Sequence, residues 1–121
     1  MFKIELDQPH DRLTIVYSGH VTPDETHRCA EEVGAALTNI EPGFQLLVDL
    51  TDLQAMEVSC APHIRNLMDI CNQNGVAKVV RIIPNPKLDI GLQIMSYFHY
   101  RNDVHIVTCE SRDEAMNLLA K

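Results

Sequence analysis

Phe44-Gln-Leu-Leu-Val-Asp-Leu-Thr-Asp-Leu-Gln-Ala-Met-Glu-Val-Ser-Cys-Ala-Pro-His63 decides how the chain is read. The run from Leu46 to Leu50 is too continuously apolar for a strand with one wet face. It predicts a strand covered on both faces. Asp49-Leu50-Thr51-Asp52 ends that run in a polar crest, and after a short linker Ser59 stands where a helix is expected to begin. A buried strand running into a crest and a helix N-terminus is where α/β sheets place their sites.

Working outward, Phe2, Ile4 and Leu6 alternate with Lys3, Glu5 and Asp7, the pattern of an edge strand with one solvated face. Gln8-Pro-His-Asp11 is turn chemistry, and Leu13–Tyr17 is expected to return antiparallel until Gly19 breaks it. Thr22-Pro-Asp-Glu25 is a capping box with proline in the first turn. Cys29, Val33, Ala36, Leu37 and Ile40 then form one apolar stripe, and Glu41-Pro-Gly43 stops the helix.

Beyond the central stretch, a helix from Ser59 tolerates Pro62 in its first turn and buries Ile64, Leu67, Met68 and Cys71. Asn74-Gly75 ends it. Val76–Ile83 is a further strand, and residues 88–100 form a helix apolar nearly all round. Ile90, Ile94 and Tyr97 give that helix a second stripe, a candidate for self-association or ligand contact. Val104–Cys109 is the last strand, and Ser111-Arg-Asp-Glu114 is a second capping box opening a short helix. The fold class is α/β: a single domain over residues 1–121 with a mixed, mostly parallel sheet. It has an N-terminal antiparallel strand and four β-α units, so four helices cover the sheet.

A chain of 121 residues supports one core. Its net charge of −7 opposes phosphate backbones, which argues against nucleic acid. No apolar segment has the ~18 residues that span a bilayer, and the charged, alternating N-terminus is no signal peptide, so the expected location is cytoplasmic, without membrane insertion. Cys29, Cys60, Cys71 and Cys109 are too far apart for a metal or redox pair and read as small buried apolar groups.

The element order and the central segment resemble the STAS, or SpoIIAA-like, domains of sulphate transporters and anti-sigma-factor antagonists. Val48-Asp-Leu-Thr-Asp52 is similar to the strand end of that family. Glu57-Val-Ser-Cys60 falls where its Asp-Ser-Ser-Gly-like motif would lie, and Glu110–Ala115 looks like its closing strand-to-helix step. The resemblance implies a small non-enzymatic regulatory module, of signalling type, that binds another protein (a regulatory kinase, a sensor or a transporter component) or itself. In phospho-switched members a kinase modifies a Ser or Thr that aligns with Val58, which has no hydroxyl; Glu57 replaces the aspartate and Cys60 a glycine.

Asp49, Thr51, Asp52, Glu57, Ser59 and His63 are therefore the candidate partner-binding residues, with Ser59 also a candidate phosphorylation site. An N-cap role for Ser59, stabilising by about 1 kcal/mol, is the simpler reading. Cys60 with His63 three positions on could form a nucleophile and base, set against a plain buried thiol. The acidic residues lack metal-ligand spacing, the histidines are scattered, and Arg81 and Lys87 read as solvated charges that could alternatively meet an anion. No cofactor or metal is expected. The alternative function is a small-ligand or lipid-binding module with an apolar pocket near helix 88–100.

Overall fold

The structure, a computed structural model, describes residues 1–84, 100, 101 and 103–120. Strand β1 (Phe2–Asp7) pairs antiparallel with β2 (Arg12–Tyr17), from Phe2 opposite Tyr17 to Asp7 opposite Arg12. Strands β4 (Gln45–Asp49), β6 (Lys78–Ile82) and β7 (His105–Cys109) continue the sheet in the order β1-β2-β4-β6-β7, every added pairing parallel. This is the mixed, mostly parallel sheet expected. The doubly covered strand is β4, third of five.

Alternation along β4 explains its composition. Leu46 faces one core with Leu13 and Ile15 of β2, Val79 of β6 and Phe44. Leu47 faces the other with Val80 and Ile82. A strand whose two neighbours on the ladder are apolar on both sides has no wet face to mark with polar residues.

Helix α1 (Pro23–Ala36) opens on the expected box. The Thr22 hydroxyl accepts from Glu25 N at 3.3 Å, and the Glu25 carboxylate accepts from Thr22 N at 3.2 Å. The apolar stripe ends in a 3-10 turn, Leu37–Asn39, so the regular helix stops short of Ile40. Helix α2 (Ala61–Gln73) lays Ile64, Leu67, Met68 and Cys71 into the same core as Cys29, Ala30 and Val33 of α1. Helix α3 (Arg112–Ala120) packs Ala115 and Leu119 on the opposite sheet face. Its last carbonyls are bound from below: Gln45 Nε2 donates to Leu119 O at 2.8 Å, and Lys78 Nζ donates to Leu118 O. Cations and donors at a helix C-terminus satisfy the orphan carbonyls there. The expected helix over 88–100 lies outside the described residues, except for Tyr100, which is buried.

Two departures reshape the region around the central strand. Strand β2 ends at Tyr17 as expected, but after Ser18 the chain resumes as an additional strand, β3 (Gly19–Val21), which pairs parallel with β5 (Leu53–Met56) in a separate two-stranded sheet. The expected helix start at Ser59 is also corrected. Val58–Cys60 is a 3-10 turn, α2 begins at Ala61 after Cys60, and no side chain caps either element. A 3-10 turn that feeds directly into a helix supplies its own hydrogen-bonded lead-in, so a capping hydroxyl is not needed.

The end of α2 is fixed by backbone shape. Gly75 has φ +85, Gly43 N donates to Gly75 O at 2.7 Å, and a Cβ on Gly75 would lie 2.9 Å from Pro42 Cβ. Gly75→Ala combines left-handed strain with that overlap and is expected to destabilise by about 1–2 kcal/mol, read as a lower urea midpoint at unchanged slope.

Candidate partner-binding site

The crest at the C-terminal end of β4 is a fastened corner. Asp49 is buried, and its Oδ1 accepts from Thr51 N at 2.9 Å and from Thr51 Oγ1 at 2.5 Å. Its Oδ2 accepts from Arg112 Nη1 at 2.9 Å, from the first turn of α3. Burial alone would raise the carboxyl, but the Thr51 hydroxyl and amide and the Arg112 guanidinium outweigh it, so Asp49 is held below the usual carboxylate range. Asp49 therefore bolts the crest to α3, while Thr51 and Asp52 are exposed. The turn is tied back by Gly19 N to Asp52 O at 3.0 Å and Leu53 N to Leu50 O at 3.2 Å, which directs the chain into β5.

From β5 the chain reaches the entrance of α2. Glu57 is exposed, with its Oε2 3.1 Å from His20 Nε2 on β3, while its amide donates to Val21 O at 3.3 Å. Val58 is 91% exposed, one of two large hydrophobic side chains so exposed among the described residues, the other being Met1. Ser59 is exposed beside it. Cys60 is fully buried, its thiol donating to Val21 O at 3.6 Å. His63 is partly exposed and packs edge-on against His27 of α1, ring centres 5.3 Å apart at 64°.

The six candidate residues thus fall into two groups. Asp49, Thr51 and Asp52 form the crest: Asp49 is bonded to Thr51 and to Arg112 of α3, and Asp52 O accepts from Gly19 N. Glu57, Ser59 and His63 lie along the α2 entrance, in contact with β3 and α1 through Glu57 and His63. Ile90, Ile94 and Tyr97 lie outside the described residues, as does Lys87. Sequence reading missed His20, Val58 as a projecting group, and Arg112. Alternation gives no signal for His20 or Arg112, because each acts through a partner distant in the chain.

Nucleophile chemistry finds no support at Cys60, whose thiol is turned to a backbone carbonyl while His63 meets another imidazole. All four thiols are free and buried, as expected from the sequence. Burial pushes the Cys29 thiol up to about 11, against a smaller lowering by Tyr17, and the Cys71 thiol up to about 12. Such thiols carry almost no thiolate at neutral pH. Arg81, read from sequence as a solvated charge, is instead 5% exposed and donates from Nη2 to Thr108 Oγ1 at 2.7 Å. It borders a cavity of about 40 Å³ between the sheet and α2, with Tyr17, Leu67 and Met68 on its walls.

The strand order, the antiparallel first strand and the crossovers together match known structures along essentially the whole chain. An uncharacterized protein of the DUF3478 family with a SpoIIAA-like fold, from Shewanella loihica PV-4, superposes with a TM-score of 0.75 at 16% identity, covering 98% of this chain and 93% of that one. The chain has the SpoIIAA-like fold. The anti-sigma factor antagonist SpoIIAA in its unphosphorylated form gives a TM-score of 0.66 at 13% identity, covering 99% of this chain and 98% of that one. A putative anti-sigma factor antagonist from Thermotoga maritima gives 0.64 at 17% identity, covering 99% and 95%. No family profile matches the sequence, and no curated protein matches it. On the SpoIIAA-like framework, Val58–Cys60 is the 3-10 approach to α2, entered from the extended Glu57, and no helix among the described residues is long and apolar enough to cross a membrane.

Proposed function

We propose that this chain is a small cytoplasmic, non-enzymatic regulatory module that binds another protein through the surface running from Glu57 to His63. The observation that carries the reading is the 91% exposure of Val58 at the entrance of α2. An aliphatic side chain held out by a hydrogen-bonded turn, flanked by an exposed carboxylate and an exposed hydroxyl, has the composition of an interface centre with a polar rim. The Asp49–Thr51–Arg112 bolt keeps the neighbouring crest rigid, which lowers the ordering cost of association. Similarity in fold to anti-sigma factor antagonists supports a regulatory partner, whether a kinase, a sensor, a transporter component or a second copy of the chain.

Ser59 is the modification point in this reading. One structure of similar fold is the Bacillus cell fate determinant SpoIIAA in its phosphorylated form. Here Val58 offers no acceptor, and Ser59 is the neighbouring exposed hydroxyl. Phosphate at Ser59 would add about −2 charge beside Glu57 and oppose an acidic partner or strengthen a basic one. Intact-mass analysis of protein from the native host, under stress and without it, should show one added phosphate that Ser59→Ala abolishes.

The test of the surface uses a partner captured from native extract and then purified. Glu57→Lys and Val58→Asp should each weaken its binding at least about tenfold in calorimetry, with folding unchanged. Undiminished binding to both variants would rule the surface out.

A further inference from the structure

We propose that the outer edge of β7 is a self-association surface for a second copy of this chain. The second copy adds its own β7 antiparallel, extending the sheet across a two-fold axis at Val107. This inference concerns a different surface from the partner-binding reading and survives its failure.

Strand β7 is the last described strand of the five-stranded sheet, and its neighbour there is β6. At the two ends of that ladder His105 N donates to Ala77 O at 3.0 Å, and Cys109 O accepts from Ile83 N at 2.9 Å. A strand in a ladder spends the backbone groups of alternate residues on one neighbour. His105, Val107 and Cys109 therefore turn theirs toward β6, and Ile106 and Thr108 turn theirs outward. Among the described residues, no hydrogen bond reaches the outward N–H and C=O groups of Ile106 and Thr108. A row of such groups is a template for a further strand.

The two edges of the sheet differ in composition. Strand β1, at the opposite edge, exposes Lys3 and Glu5, charged side chains of the kind that discourage edge pairing. The stretch Val104–Cys109 contains no Asp, Glu, Lys or Arg, although the chain as a whole carries −7. Nor does β7 contain a proline, and its register with β6 runs unbroken from His105 to Cys109. Charge, proline and bulge, the usual means of blunting an edge, are all missing from this strand.

A second copy fits this edge because the strand is complementary to itself when reversed. With the axis at Val107, Ile106 of each copy faces Thr108 of the other and His105 faces Cys109, so no like charges are opposed. The two Ile106–Thr108 pairs are hydrogen-bonded pairs of two bonds each, and together they use every outward group of both residues. The Val107 side chains, partly exposed in the single chain, meet at the centre as a non-hydrogen-bonded pair. Ile106, Val107 and Thr108 are all β-branched, the side chains that pack best across strands.

Sedimentation equilibrium of the full chain at neutral pH, from about 1 μM to about 1 mM, should show a reversible monomer–dimer equilibrium. Because each copy carries −7, added salt should tighten it. Val107→Lys sets two ammonium groups against each other at the axis and should weaken the dimer at least about tenfold, with folding confirmed by circular dichroism. Glu57→Lys, on the partner-binding surface, should not weaken it. Val107→Cys would place two Cα atoms about 4.5 Å apart across the axis, within reach of a disulfide. Diamide, which takes up the two hydrogens the thiols lose, should link the copies in that variant and not in the parent, whose thiols are buried. A monomer throughout the range, an undiminished dimer in Val107→Lys, a dimer lost in Glu57→Lys, or no linked species in Val107→Cys would overturn the surface.

Discussion

Replacing Phe44 with alanine is expected to remove about 3–5 kcal/mol of folding stability. Phe44 is fully buried and is the largest of the side chains so enclosed among the described residues. It stands immediately before β4, and its carbonyl accepts from Ala77 N at 3.0 Å, so the start of β6 is positioned against it. Truncation removes the transfer free energy of the ring and leaves a cavity that flanking strands cannot close, because their register is held by ladders on both sides. Domains of this size commonly have about 5–15 kcal/mol in total, so the variant should sit near its threshold of folding. Phe44→Leu, which keeps most of the volume, should lose less than half as much. Urea unfolding followed by circular dichroism measures both, and a loss below about 1 kcal/mol for the alanine variant would contradict the packing described.

The second large effect is expected at Asp49. Asp49→Ala leaves the Thr51 amide and hydroxyl without their acceptor and Arg112 without its carboxylate, for a loss of about 2–3 kcal/mol at neutral pH. Most of this comes from the Thr51 bonds, since the Arg112 side chain is 48% exposed and solvent screens its charge. The dependence on pH has a definite sign. Asp49 is held below its unfolded value of about 3.9, so its contribution is fully present above that pH and is lost as pH falls through the folded value. Asp49→Asn should therefore be less stable than the parent at pH 7, and the gap should narrow below about pH 4. A gap independent of pH would show that the charge on Asp49 contributes nothing.

How much of this was legible from sequence depended on how local each feature is. The Leu46–Leu50 run identified a doubly covered strand because both faces of β4 meet apolar residues, and the Thr22–Glu25 box identified a helix start because its bonds close within four residues. Strands β3 and β5 escaped notice because they have only three and four residues, and Gly19 at φ +66 opens a further short strand where a break was expected. Ser59 was read as a cap because its position fits one; the 3-10 turn that makes the cap unnecessary has no sequence marker of its own. At the site, the acidic crest was visible, but its purpose was not. Asp49 and Arg112 are 63 positions apart, and only the crossover geometry places them side by side. The meeting of His27 and His63 was hidden for the same reason.

The strand order also governs how fast the molecule can form. Arg12 lies opposite Gln45 and Gln45 opposite Lys78, so two successive ladders each join residues 33 positions apart, and Lys78 meets His105 across the next. Among the strands of the described residues, only the opening hairpin, β1 with β2, closes locally. Each parallel ladder must first meet the loop-closure entropy of a whole crossover before any of its bonds form. Mixed α/β topologies of this kind fold more slowly than helical bundles of equal length, because their sheet contacts are distant in the chain.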